Sequence, residues 1–444
     1  MFETLRNAWK IADLRKKILY TLLIVLIFRI GSAITVPYVD PEALAKAVAG
    51  IAANSSVNFM SYLNMISGGG FSEASIFALS ITPYINASII IQLLTVAIPA
   101  LERLAKEGEA GRKVIGTITR YTTVGLGLLL GIAYYSMLRF KYEGVLVKEA
   151  TTGFAAWFAA VVIVLCFVAG SALVMWLGEQ INEKGIGNGI SILLFAGILA
   201  QIPSAATALW NRFYIGGIQM LGKTPNAVWQ MILVVLVLVI FLAIIGMIVF
   251  MNDAERRIPV QYAKRVVGRK MYGGQNTFIP IKVNTSGVMP IILASSIVSL
   301  PSILATFFSW ESNWFLLLFR QDNWVYIFVY FFLIIGFAYF YVTIQYNPTE
   351  MANNLRQNSG AIPGYRPGKP TSDYIKRVLN KVTLIGAIFL GFIALFPSVF
   401  GKFTQFYELT LGGTSIMIVV SVALETTQQI ESQMMMRHYK GFLG

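Results

Sequence analysis

The sequence predicts an all-α polytopic membrane protein: ten transmembrane helices in two inverted-repeat halves of five. Three observations carry that expectation. Of 444 residues, 56% are hydrophobic and only 13% are charged, against about 25% charged in a soluble protein. Apolar runs of roughly 18–25 residues, the length that crosses a hydrocarbon core, recur from end to end. The pattern P-x-I-x-A-S-x-I occurs at 83–90 and returns 207 residues later at 290–297. An α-helix satisfies its own backbone hydrogen bonds in lipid, so runs of this length read as helices.

The ten runs fall at 18–36, 76–98, 117–138, 154–177, 186–202, 227–251, 287–308, 324–345, 382–400 and 409–424. A basic amphipathic stretch, 5–17, precedes the first run. No small-residue cleavage site follows that run, so no cleavable signal peptide is expected. An even number of spans puts both termini on one side. With that side cytoplasmic, 26 of the 35 lysines and arginines lie inside and eight outside, with Arg29 within the first span. Positive charge accumulates on the cytoplasmic side of membrane proteins, so both termini are expected there.

Span counting gives the repeated pattern its meaning. The two windows fall on spans 2 and 7, each the second span of a five-span half, and these run in opposite directions. That is an inverted-topology repeat, with a functional site expected near the midplane between the halves. The halves are 1–208 and 209–444.

The midplane chemistry is notable for what it lacks. Carriers of ions and small polar solutes place ionisable groups within their spans. Here Arg29, Arg120 and Glu425 are the main cases, the last two near cytoplasmic ends. The repeated helices offer Ile81, Ile85 and Ile292. Isoleucines facing one another across a pore form a dewetting constriction. Asn86, Ser88, Gln92, Ser295 and Ser296 are mild polar groups that could hold two helices together at about 0.6 kcal/mol per bond, which suits a seam that opens. Arg29 reads as snorkelling or satisfying helix-end carbonyls.

Two basic loops, 252–286 and 347–380, each run to about 35 residues, far more than a helix connection needs. The first alternates apolar and polar residues around Ile258 and predicts a β-hairpin or a helical hairpin. It contains Arg256, Arg257, Lys264 and Arg265. The second opens with NPTEMANNL, a helix start, before a Pro/Gly-rich stretch containing Arg366. They either obey the charge rule alone or form a docking face for an acidic protein or nucleic acid. On the other side, 67–79 opens with three consecutive glycines, 68–70, and is too short and polar to span. With Ser72 and Glu73 as helix-start residues, it predicts a short re-entrant helix, or else a loop packed on the outer surface.

Enzymatic chemistry finds no support. The stretch 364–370, GYRPGKP, has the wrong spacing for a phosphate-binding loop and no Ser or Thr after the lysine. Cys166 and His438 are the only cysteine and histidine. No metal and no cofactor are expected. A secondary transporter with inverted repeats remains the alternative, and it would need the midplane carboxylate that is missing.

Several motifs carry a family resemblance: WLGEQINEKGIGNGISILLFAGI at 176–198, ITPYINASIIIQLLT at 81–95, EGEAGRK at 107–113, RRIPVQYAKR at 256–265, NPTEMANNL at 347–355, IPGYRPG at 362–368 and GGTS at 412–415. In these the sequence resembles, over nearly its whole length, the SecY family of channel subunits of the bacterial protein-export translocase. The resemblance implies a central hourglass pore between the two halves, in the bacterial cytoplasmic membrane. Carried over by motif, the ring closing its waist is Ile81, Ile85, Ile190, Leu194, Ile292 and Ile418. Leu194 replaces the commoner isoleucine and keeps the aliphatic character. The re-entrant segment becomes a plug, with Gly69, Gly70, Phe71, Ser72 and Ile76. Spans 2, 3, 7 and 8 become a lateral gate through which signal peptides and membrane helices reach lipid. Asn86, Ser88, Gln92, Ser295 and Ser296 stand on the second and seventh of these. Arg256, Arg257, Lys264, Arg265 and Arg366 would dock the ribosome or the motor ATPase SecA. SecE and SecG are the implied membrane partners, nascent polypeptides the implied cargo, and anionic lipids are expected around the basic face.

Overall fold

The computed structural model describes residues 2–44, 67–140, 144–147, 153–211, 227–262, 265–267, 270–272, 276–308, 323–404 and 412–440. Each of the ten predicted runs contains a helix. The basic amphipathic stretch forms α1 (Phe2–Lys10) and the start of α2 (Ala12–Ala33), with the break at Ile11. Then come α3 (Thr82–Ala97), α4 (Pro99–Lys106), α5 (Glu109–Phe140), α6 (Gly153–Lys184), α7 (Gly189–Leu199) and α8 (Ile202–Asn211). The second set is α9 (Ala227–Asp253), α10 (Met289–Phe308), α11 (Trp324–Gln345), α12 (Pro348–Gln357), α13 (Lys369–Thr404) and α14 (Gly412–Lys440).

Among the described residues, four stretches are each long and apolar enough to cross a membrane: Glu109–Phe140, Gly153–Lys184, Trp324–Gln357 and Lys369–Phe396. A fifth arises if α3 and α4, bent by 101°, count as one span. The bend sits at Ile98-Pro99, where proline opens the new helix.

Helix boundaries differ from expectation in three places. α3 starts at Thr82, not near residue 76. Pro83 therefore lies in its first turn, where the missing N–H costs nothing. Pro290 opens α10 in the same way. α13 and α14 extend well beyond their apolar cores into polar sequence, because packing carries a helix past the edge of its hydrophobic run.

The predicted re-entrant helix at 67–79 is not a helix. The segment from Ser67 to Ile81 is a chain of tight turns, closed by backbone bonds such as Ala78 N to Ser75 O at 2.9 Å and Ser80 N to Phe77 O at 2.8 Å. Left-handed backbone at Gly68, Gly69, Ala74 and Ser80 interrupts any helical path. Ser75 also bridges to Thr35, which takes the backbone groups a helix would need.

The basic loop 252–286 forms a β-hairpin, not a helical one. β1 (Glu255–Tyr262) pairs antiparallel with β4 (Asn276–Lys282), with Ile258 opposite Ile279. Between them β2 (Arg265–Val267) pairs with β3 (Lys270–Tyr272). The second basic loop joins this sheet: β5 (Gly360–Ala361) pairs with β1 at Gln261 and Tyr262. The strand order is β4-β1-β5. Alternation puts Ile258 and Val260 on one face, where they bury with Ile281, Val342, Leu355, Ile362, Ile375, Leu379 and Val382 in a core of their own. The two loops are therefore one folded body.

Candidate functional site

The site is built on the turn between α6 and α7. Asn188 caps α7, its side chain accepting the Ile190 N–H at 3.1 Å. Asn182 Oδ1 accepts the Gly189 N–H at 2.8 Å. A side chain at Gly189 would strike Gly178 O at 1.9 Å, so the two helices meet backbone to backbone. This geometry explains the GIGNGIS motif: Asn188, with Asn182 just upstream, holds the turn and Gly189 lets α7 close on α6. The result presents Ile190 and Leu194 to the interior.

Ile81, Ile85, Leu194, Ile292 and Ile418 are buried in one hydrophobic cluster, and Ile190 packs against it partly buried. They come from the α3 entry, α7, α10 and α14, four elements far apart in sequence. The structure thus brings all six predicted ring residues into one apolar body.

The turn-built segment 67–81 is interior, which sets aside the outer-surface reading. Ser67, Gly70, Phe71, Ala74, Ser75 and Phe77 are buried, with Gly69, Ser72 and Ile76 partly so. Phe71 stacks on Tyr134 at 4.4 Å, and Tyr134 packs on Phe167 at 4.9 Å. The Tyr134 hydroxyl donates to Phe71 O. Phe77 stacks on Phe28 at 5.8 Å. Backbone bonds run from Ile76 N to Ile34 O at 2.9 Å and from Val36 N to Ala74 O at 3.0 Å. Arg29 Nη1 donates to Gly68 O at 3.2 Å.

The predicted gate residues sit on α3 and α10. Asn86, Ser88, Ser295 and Ser296 are partly buried, and Gln92 is exposed. Ser295 Oγ donates within its own helix to Ile292 O at 2.9 Å. α10 packs against α5. The Tyr341 hydroxyl on α11 donates to Gln92 Oε1 on α3 at 3.4 Å, linking the two helix sets through a group that sequence reading did not single out.

On the basic body, Arg256, Arg257 and Arg366 are exposed. Arg257 pairs with Glu255 at 2.6 Å and lies over the Phe278 ring at 4.7 Å. The Arg366 carbonyl accepts from Thr371 Oγ1 at 2.8 Å, tying the loop to the start of α13. Lys264 lies outside the described residues, and Arg265 begins β2. No cluster of three or more metal-ligating side chains occurs among the described residues.

The SecY family model matches residues 75–427. The chain belongs to the SecY family. It is 43% identical to the protein translocase subunit SecY of Streptomyces coelicolor, with 100% of both chains covered. It is 40% identical to that of Mycobacterium tuberculosis, again over 100% of both. Among solved structures, one described as a protein-conducting channel superposes with a TM-score of 0.58 at 18% identity, covering 94% of this chain and 92% of the other. Sec61 in a canine ribosome-channel complex gives 0.54 at 16% identity, covering 94% and 92%. These structural likenesses support a SecY/Sec61 channel fold.

Within this SecY-family chain, three contributors escaped sequence reading. Tyr134 and Phe167 were ordinary aromatics in apolar runs, and only the fold stacks them on Phe71. Gly170 gave no signal, yet a Cβ there would meet Ile76 O at 2.0 Å. Arg29 did give one, as a charge inside an apolar run. It satisfies a carbonyl, that of Gly68 in the turn-built segment.

Proposed function

We propose that this chain is a gated protein-conducting channel, passing unfolded secretory polypeptides across the bacterial cytoplasmic membrane and membrane helices sideways into it. The carrying observation is the joint burial of Ile81, Ile85, Leu194, Ile292 and Ile418, with Ile190 alongside, in a chain of full-length SecY kinship. A ring of aliphatic side chains excludes water and ions by dewetting, and it binds nothing that must be released. It parts around a chain of any sequence and closes behind it. A secondary transporter would need a midplane binding cluster, so that alternative is set aside.

In this reading ten spans form halves 1–208 and 209–444 as an inverted repeat, with both termini cytoplasmic. The segment 67–79 is the plug, with Gly69, Gly70, Phe71, Ser72 and Ile76 at its centre. Asn86, Ser88, Gln92, Ser295 and Ser296 line the lateral gate, and Tyr341 latches it through Gln92. Arg256, Arg257, Lys264, Arg265 and Arg366 dock SecA or the ribosome; SecE and SecG complete the membrane assembly. The channel does no bond chemistry of its own, and its partners supply the drive. Bound ribosomes in the canine Sec61 and yeast Ssh1 complexes support the docking assignment by analogy.

The test is site-specific crosslinking to a stalled, translocating polypeptide. Photoreactive groups at Ile85 and Ile292 should both form adducts with the stalled chain, whereas one at exposed Leu129 on α5 should label lipid. Absence of polypeptide adducts at both waist positions would refute the pore path.

A further inference from the structure

The base of the β-hairpin carries a polar chain that the channel reading does not use. Asn252, at the end of α9, donates through Nδ2 to Ser421 Oγ on α14 at 3.0 Å. Asn284, just past β4, donates through Nδ2 to Asn252 Oδ1 at 2.7 Å. Asn284 and Ser421 are both buried. Two turns further along, Gln428 on α14 donates to Asp253 Oδ1 at 3.3 Å and accepts from Lys282 Nζ at 2.8 Å. Asn252 and Asp253 precede β1; Lys282 ends β4, and Asn284 follows it. Both stems of the hairpin are thus gripped by one helix, at two levels.

That helix carries Ile418. Ser421 lies three residues beyond Ile418 and Gln428 seven beyond Ser421, spacings that keep them on one side of a helix. Met417, Ile418 and Val422 belong to the waist cluster, so the polar chain enters an otherwise apolar region. Apolar contacts there tolerate sliding; hydrogen bonds do not, because they demand direction and distance. Among the described residues the polar chain is also one bond short: Asn284 Oδ1 is buried without a hydrogen-bond partner there. Any movement that brings it a donor relieves that desolvation, so the arrangement is poised to shift.

We propose that Asn252 and Asn284 are positioning residues for the waist. They tie both hairpin stems to Ser421 and thereby set where Ile418 stands. A force applied to the hairpin by a docked protein moves α14, and with it one side of the ring. The inference rests on the channel reading and adds to it the link between the docking face and the constriction.

The experiment measures resting ion conductance of the full chain reconstituted in planar lipid bilayers. Asn252→Leu keeps the branched shape of the side chain and removes both bonds; resting conductance should rise about tenfold, the population shift expected for two net hydrogen bonds lost from the closed state. Asn252→Asp, read at pH 8, should stay near wild type, because its two oxygens accept from Asn284 Nδ2 and from the Ser421 hydroxyl. Ser421→Ala should leak less than Asn252→Leu, and the double variant no more than Asn252→Leu alone, as members of one chain do not add. A folded Asn252→Leu channel with wild-type conductance overturns the proposal, as does equal leak from the Asp variant. Should Asn252→Leu not fold, Ser421→Ala carries the same decision. Ile418→Asn separates the readings: leak from it, without leak from the network variants, overturns only the link, and no leak from it overturns the waist as well.

Discussion

Replacing Gly170 with alanine tests the plug at its tightest contact. The added Cβ would lie 2.0 Å from the Ile76 carbonyl oxygen, where ordinary contact begins at 3.4 Å. The obstacle is backbone, so no side chain can turn aside. The carbonyl must withdraw from α6. Its neighbours resist, because Ile76 N is bonded to Ile34 O at 2.9 Å and Ser75 is bridged to Thr35. Overpacking of this kind costs about 1–3 kcal/mol, which shifts a two-state equilibrium by roughly 5- to 150-fold. The helix itself gains, since alanine exceeds glycine in helix propensity by about 1 kcal/mol. The gain offsets only part of the cost, so Gly170→Ala should lower the thermal midpoint of the purified protein modestly at most while raising resting conductance in planar bilayers. Gly246→Ala is the control, as nothing lies within 4 Å of its Cβ position; it should leave conductance unchanged. A folded Gly170→Ala channel as tight as wild type would refute the view that seating of Ile76 seals the resting state.

Two other perturbations address the ring and the docking face. Ile85→Asn or Ile292→Asn places an amide in the buried cluster and should hydrate the waist; an ion leak and relaxed signal-sequence stringency are expected, and neither appearing would count against the ring. Arg366→Glu reverses an exposed charge on the basic body and should abolish motor-driven export while SecE still co-purifies; loss of SecE as well would mark a structural defect and remove support for docking.

Helix positions were legible because they follow from apolar runs, which any span must have. Of the proposed ring, Ile81, Ile85 and Ile292 were suggested by the repeated helices, whereas Ile190, Leu194 and Ile418 came only from the family motifs, since an aliphatic residue in an apolar run carries no mark of where it points. The conformation of 67–79 was misread for a physical reason. Ser72 and Glu73 are sound helix-start residues, but Ala74 and Ser80 adopt left-handed backbone, a choice set by the Thr35–Ser75 bridge and invisible locally. The hairpin was half legible: alternation around Ile258 suggested strands, whereas its pairing with β5 joins residues about a hundred positions apart. Short strands that complete a distant sheet leave almost no periodicity to read. The link from Asn252 to Ser421 is of the same kind, because polar residues at span ends are commonplace until a fold brings them together.

On the proposed reading, waist and plug meet in one apolar cluster through Phe77 and Ile76, but the plug's stacking and hydrogen-bond partners come from one part of the chain, and this constrains how the channel opens. The aromatic and backbone partners given above for the plug, namely Phe28, Arg29, Ile34, Tyr134, Phe167 and Gly170, all lie within 1–208. The ring instead draws on α3 and α7 from that half and on α10 and α14 from the other. Separating the halves therefore widens the ring directly, yet leaves those plug contacts intact. The plug must be displaced by something else, and an entering polypeptide is the object that occupies its place. A partner pulling on the hairpin acts through α14, on the ring and not on the plug. On the proposed reading, docking alone thus loosens the constriction, with ion leak limited by the seated plug, and full opening waits for the polypeptide itself.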